Sequence, residues 1–139
     1  MKKGYRSVGC LLILWGGLLC LAASCAKPPP PPPPVTWPCV VVTEDGITFY
    51  VNRLRLPGTR QEFRVREGES NIWIPLKIIR AVRFTGPEVD RYRPAHITFI
   101  TGETTRGELF VDTLMEGRTD LGYWNIHFGR VKRLELGTR

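Results

Sequence analysis

From Cys39 onward, apolar and polar residues alternate in short bursts that break at glycine or proline. Phe63 and Val65, Ile72 and Ile74, and Ile97 and Phe99 are spaced two apart, which puts each pair on one face of an extended strand. Runs rich in β-branched and aromatic residues cover 39–43, 47–56, 62–66, 71–74, 81–85, 95–101, 105–112, 123–128 and 132–136. Between them stand Glu44-Asp45-Gly46, Pro57-Gly58-Thr59, Glu67-Gly68-Glu69-Ser70, Gly86-Pro87, Thr101-Gly102-Glu103, Glu116-Gly117-Arg118 and Asp120-Leu121-Gly122. Such short strands with glycine-bearing turns predict an all-β domain, a small antiparallel barrel or sandwich. No stretch long enough for a helix carries the helical period.

One pattern recurs. Ile74, Leu76, Ile79, Val82 and Phe84 follow steps of 2, 3, 3 and 2, and Ile126, Phe128, Val131, Leu134 and Leu136 repeat those steps 52 residues later. A step of two belongs to a strand and a step of three to a tight helical turn. Each segment therefore predicts strand, one 3₁₀ turn, strand. The turn at Asp45-Gly46 is mirrored by that at Thr101-Gly102. Two related halves follow, 39–85 and 95–138. Neither is long enough to bury a core alone, so they should share one. The strand–3₁₀–strand unit, with the phrase from Ile97 through Thr101-Gly102-Glu103 to Gly107-Glu108-Leu109, resembles the SH3-like and Sm-like small barrels. That resemblance implies a fold and no particular function.

Upstream the chemistry changes. Lys2, Lys3 and Arg6 precede residues 8–26, which carry no charge. A basic start before an apolar stretch is the form of a secretory leader. The segment Leu21-Ala22-Ala23-Ser24-Cys25 resembles the lipobox of bacterial lipoproteins, with Ala22 where a larger aliphatic residue is usual. The resemblance implies a type II signal peptide at 1–24, acylation of Cys25, and stable anchoring through several acyl chains. Ala26, rather than an acid, follows Cys25; in Gram-negative lipoproteins that implies the outer membrane, periplasmic side. Ordinary cleavage after Ser24 and an uncleaved anchor are the competing readings; 19 uncharged residues reach the lower range of a span. In all three the remainder is exported.

Pro28 to Pro34 is an unbroken run of seven prolines. Polyproline II geometry makes it a stiff spacer of roughly 20 Å. The chain thus divides into a leader at 1–24, a lipidated cysteine and proline-rich spacer at 25–38, and a β-domain at 39–138.

Charge alters this picture little. The chain has 20 basic and 13 acidic residues, and three of the basic ones lie in the leader. The remaining excess is small and mixed along the chain, so nucleic acid is not an expected partner. Cys10 and Cys20 fall in the leader and Cys25 takes lipid, which leaves Cys39 as a small apolar filler.

Candidate chemistry is sparse. His96 and His127 have no partners at metal-ligand spacing, no phosphate loop or nucleophile elbow is present, and no cofactor is expected. Arg53, Arg55, Arg60, Arg64 and Arg66 read as one arginine-rich hairpin, with Arg53 and Arg55 on one face. Arginine binds carboxylate and phosphate bidentately, so Arg53, Arg55 and Arg64 are candidate binding residues. Trp73 alternates with Ile72 and Ile74 and is the candidate exposed aromatic; Trp124 is expected in the core. The expectation is a non-enzymatic binding or scaffolding module in the cell envelope. It would be held to membrane lipid through Cys25 and contact an envelope protein or an anionic polymer. The alternative is an enzyme accessory or small hydrolase using Glu44, Asp45, Asp112 and Asp120.

Overall fold

The computed structural model describes residues 38–58 and 60–137. The leader, Cys25, the proline run and Trp37 lie outside the described residues. The described residues form ten strands: β1 (Cys39–Thr43), β2 (Thr48–Arg55), β3 (Glu62–Glu67), β4 (Ser70–Pro75), β5 (Ile79–Phe84), β6 (Tyr92–Phe99), β7 (Thr104–Phe110), β8 (Leu114–Thr119), β9 (Gly122–His127) and β10 (Val131–Leu136). Single 3₁₀ turns, Leu76–Ile78 and Phe128–Arg130, join β4 to β5 and β9 to β10. The fold is all-β, and the strands form one antiparallel sheet in the order β4-β3-β7-β6-β5-β10-β1-β2-β8-β9, which does not close.

The repeated apolar steps are structural. Leu76, Ile79 and Val82 are buried, as are Phe128, Val131 and Leu134. Only the first step of three in each segment is the 3₁₀ turn. The second is a bulge: register shifts between Ile79 and Ala81 in the β5–β6 pair, and between Val42 and Thr43, opposite Val131, in the β10–β1 pair. An extra residue in a strand delays the next inward side chain by one, which imitates a helical step.

Two sequence expectations need correcting. Glu116-Gly117-Arg118 is the middle of β8, not a turn: Met115, Glu116 and Gly117 are buried between β2 and β9. The run expected from 95 begins earlier, at Tyr92: Tyr92 and Arg93 are buried at the start of β6, and Asp90 and Arg91, both at positive φ, turn the chain just before it.

The halves repeat in register as well as in element order. Phe63 faces Ile74 in β3–β4, and Met115 faces Ile126 in β8–β9, both partners displaced by 52. Cys39 faces Val51 in β1–β2, and Ala95 faces Gly107 in β6–β7, both displaced by 56. The difference arises between the second and third strands of each half, where the bulged β2 and the 56–61 loop outrun their counterparts. Val82 faces Leu134 at the centre of the β5–β10 pair. These two residues are counterparts, so a local two-fold axis passes through them.

The strands are also exchanged. β5 pairs with β6 and β10, both from the second half, while β10 pairs with β1 and β5 of the first. Each end of the sheet is therefore a five-strand group of mixed origin, β4-β3-β7-β6-β5 and β10-β1-β2-β8-β9. One core results. Phe128 of the second half packs edge-on against Phe63 and Phe84 of the first, at centroid distances of 4.7 and 5.7 Å. Such aromatic pairs add about 0.5–1.5 kcal/mol beyond the area they bury.

Arg93 stitches the halves. Its Nε donates to the Gly86 carbonyl (3.2 Å), Nη1 to those of Gly129 (3.3 Å) and Val131 (2.9 Å), and Nη2 to Glu44 Oε1 (2.5 Å). The guanidinium also lies 4.5 Å from the centre of the Phe84 ring. A buried guanidinium is tolerated because its donors are met and an acid is at hand.

Candidate functional site

The five arginines read as one hairpin are divided by the topology. β2 pairs with β1 and β8, whereas β3 pairs with β4 and β7, so Arg53 and Arg55 lie in one five-strand group and Arg64 and Arg66 in the other. Nor does the two-residue spacing of Arg53 and Arg55 define a shared face. A register shift separates Asn52 from Arg55, and Arg53 sits at φ 54. Arg55 is committed to the buried Glu116 in an ion pair, and Glu116 also accepts from Tyr123 Oη at 2.5 Å. That carboxylate raises the Tyr123 pKa above its ordinary value.

Arg64 and Trp73 do come together. They are direct cross-strand partners in β3–β4. The Arg64 guanidinium lies over Phe110 (5.2 Å) and Tyr92 (5.7 Å), and those two rings are themselves 5.4 Å apart. Asn71 Oδ1 accepts from Arg64 Nε (3.2 Å) and from Tyr92 Oη (3.3 Å). Arg66 covers the other part of Tyr92 at 4.1 Å, and its Nε donates to Glu108 at 2.7 Å. The Glu108 hydrogen bond pushes the Arg66 pKa further above its already high value. Tyr92 is only 8% exposed although it lies outside the main apolar cluster, because arginines cover it. Trp73, at the rim strand β4, stays 56% exposed. The result is a rigid outer surface of alternating rings and guanidiniums, each cation–π contact contributing about 0.5–1 kcal/mol where exposed. Trp124, by contrast, is buried and packs on Phe49 at 5.8 Å.

Beside this surface an open groove of about 410 Å³ runs between Arg66, Gly68, Thr85, Pro94, His96 and Arg106. Arg106 and His96 are direct cross-strand partners on its floor. Their pairing was invisible in the sequence, because it depends on the β6–β7 register.

The four carboxylates of the hydrolase reading are dispersed. Glu44 binds Arg93 and Asp112 binds Arg91. Asp45 sits in the β1–β2 turn, where the Thr43 hydroxyl lowers its pKa, and Asp120 lies in the β8–β9 turn. His127 Nδ1 is 3.2 Å from the backbone oxygen of Asp112, not from its carboxylate. Among the described residues no three of His, Cys, Asp and Glu are grouped as metal ligands, and no helix is long and apolar enough to cross a membrane.

Cys39 is fully buried, and that burial pushes its thiol up to about 11 from an ordinary 9.0, against a smaller lowering by a hydrogen bond with the Gly137 backbone. The folded chain therefore keeps the proton at pH values where the unfolded chain loses it. This contribution is intact below pH 9 and is lost as pH rises toward 11. Denaturant titrations at about pH 8 and about pH 10.5 should show wild type losing roughly 2 kcal/mol more than Cys39→Ala. Equal losses would mean that the thiol ionises freely in the fold.

No protein-family model matches the chain, and no curated protein matches it.

Proposed function

We propose that this chain is an exported, membrane-anchored lipoprotein whose β-domain binds a partner in the cell envelope. Acyl chains on Cys25 hold it, the proline run lifts it, and the outer face of the group β4-β3-β7-β6-β5 makes contact. The observation that carries the binding half of this reading is the Trp73–Arg64–Phe110–Tyr92 row. Half-exposed tryptophan set among stacked guanidiniums is the composition of an interface centre. Anchorage is supported by the leader and the Leu21–Cys25 segment. The dispersal of the four carboxylates, two of them ion-paired, favours binding over hydrolysis.

The test places a photocrosslinking amino acid at position 73 of the full chain in its native envelope, with position 123 as the matched control. Tyr123 is 63% exposed on the opposite group. Crosslinks at 73 that Arg64→Ala diminishes, and none at 123, are expected. Equal patterns at both positions would remove the surface from consideration. Mass spectrometry of the mature N-terminus should find Cys25 acylated; an intact Met1 would end the lipoprotein reading.

A further inference from the structure

Four basic side chains stand in line across the sheet. Arg133 on β10 faces Arg83 on β5, Arg83 faces His96 on β6, and His96 faces Arg106 on β7. Directly facing residues project from the same side, so this is one row, crossing three strand gaps of about 4.8 Å, or roughly 14 Å. Arg83, Arg106 and Arg133 are exposed and His96 is half-buried. Arg133 reaches Glu135 at 3.2 Å. Arg83, His96 and Arg106 make no ion pair and no side-chain hydrogen bond with the described residues, and the nearby Glu108 is already taken by Arg66.

The two-fold repeat supplies an internal control. The counterpart row is Tyr50, Val40, Glu135 and Ala81, facing one another in the same succession on β2, β1, β10 and β5. The same backbone positions thus accept an aromatic, an aliphatic, an acid and a methyl group. The fold does not require cations there. Like charges placed opposite one another destabilise a sheet, so the basic row works against stability and needs another reason to exist.

We infer that this row, with the groove beside it, is a binding site for a linear anionic glycan bearing one carboxylate or phosphate per repeat. This deepens the envelope-binding reading above and rests on it. Guanidiniums at Arg83, Arg106 and Arg133 take successive anions, and the open groove lined by Thr85 and Pro94 admits a sugar ring. Arg66 stands at the groove's edge, ion-paired with Glu108, and Glu67 lies at the same edge. A nucleic acid would call for ring stacking within the row, and the groove has no Phe, Tyr or Trp. A lipid surface would call for a protruding apolar side chain beside the charges, where Thr85, Pro94 and Thr98 stand instead.

The experiment titrates the full chain, in non-ionic detergent, with polygalacturonate as the probe. Neutral dextran, oligothymidylate and phosphatidylglycerol vesicles are run beside it. Three guanidinium contacts, at the roughly −0.7 per charge slope of single-stranded polyanions, predict about a 20-fold loss of affinity between about 50 and about 200 mM salt. The double variant Arg83→Thr, Arg106→Thr should cut that slope to about a third and weaken binding at least tenfold, with an unchanged or raised Tm. A control, Arg118→Thr on β8, should bind as wild type. Undiminished binding by the double variant, or an equal loss in the control, overturns the site. Preference for vesicles or oligothymidylate over polygalacturonate overturns the glycan assignment. Crosslinks at position 73 that persist while polygalacturonate fails to bind would leave the envelope-binding reading standing and sink only this one.

Discussion

Cut between β5 and β6, the chain is expected to give two fragments, neither of which folds. In the first half β1 pairs only with β2, and β3 only with β4; the remaining partners of every strand, and all partners of β5, lie in the second half. The second half is the same, with β6–β7 and β8–β9 as lone hairpins and β10 alone. Two-stranded hairpins are marginal in water at best. The aromatic cluster is split as well, Phe63 and Phe84 falling in one fragment and Phe128 in the other. Far-UV circular dichroism and amide dispersion should report two disordered peptides, and an equimolar mixture should recover the native spectra. Cooperative unfolding of either fragment as a monomer would contradict the exchange of strands.

Self-pairing of one fragment is the obvious escape, and the packing opposes it. A Cβ built on Gly107 would lie 2.4 Å from Val65 Cγ1, and one built on Gly117 would lie 2.5 Å from Val51 Cγ1. Val65 and Gly117 are counterparts under the repeat, as are Val51 and Gly107. Each junction between exchanged strands therefore seats one valine in the space of one glycine, with the roles reversed. Two first halves would set valine against valine at both junctions, and two second halves would leave glycine against glycine. Overlap in one case and a void in the other select the mixed pairing.

That complementarity yields the second large effect. Gly107→Ala and Gly117→Ala should each cost about 3 kcal/mol, since the opposing valines are buried and cannot turn away. For a domain near 100 residues this lowers Tm by roughly 12–24 °C. Adding Val65→Ala to Gly107→Ala should restore much of the loss, because the next backbone atom, Arg66 O, is 3.8 Å away. Adding Val51→Ala to Gly117→Ala should restore less, because Asn52 O remains at 2.9 Å. A double-mutant cycle at each junction measures the difference. Equal recovery at both would show that the backbone contact at Asn52 relaxes without cost.

The all-β class, nine of the ten strands and both 3₁₀ turns could be read from the chain, because periods of two and three are local signals. β8 was hidden by Gly117, which looks like a turn residue but is small because Val51 presses on it. The pairing of strands was not legible. Arg53 and Arg64 lie eleven positions apart yet at opposite ends of the sheet, and nothing local reports that β3 prefers β7 to β2. For the same reason Arg83, His96, Arg106 and Arg133 showed no relation in sequence. Trp73 and Arg64 were found because each is conspicuous alone; Tyr92 and Phe110, which hold Arg64 in place, were not.

Cys39 lies opposite Leu136, so the segments entering β1 and leaving β10 depart side by side. These two strands are interior to the sheet, with β4 and β9 at its rims. Whatever grips the N-terminal segment grips the module near its waist, leaving both rims unencumbered. A short bridge between the two ends, with a new opening at 85–91, would yield a circular permutant that keeps every strand's neighbours.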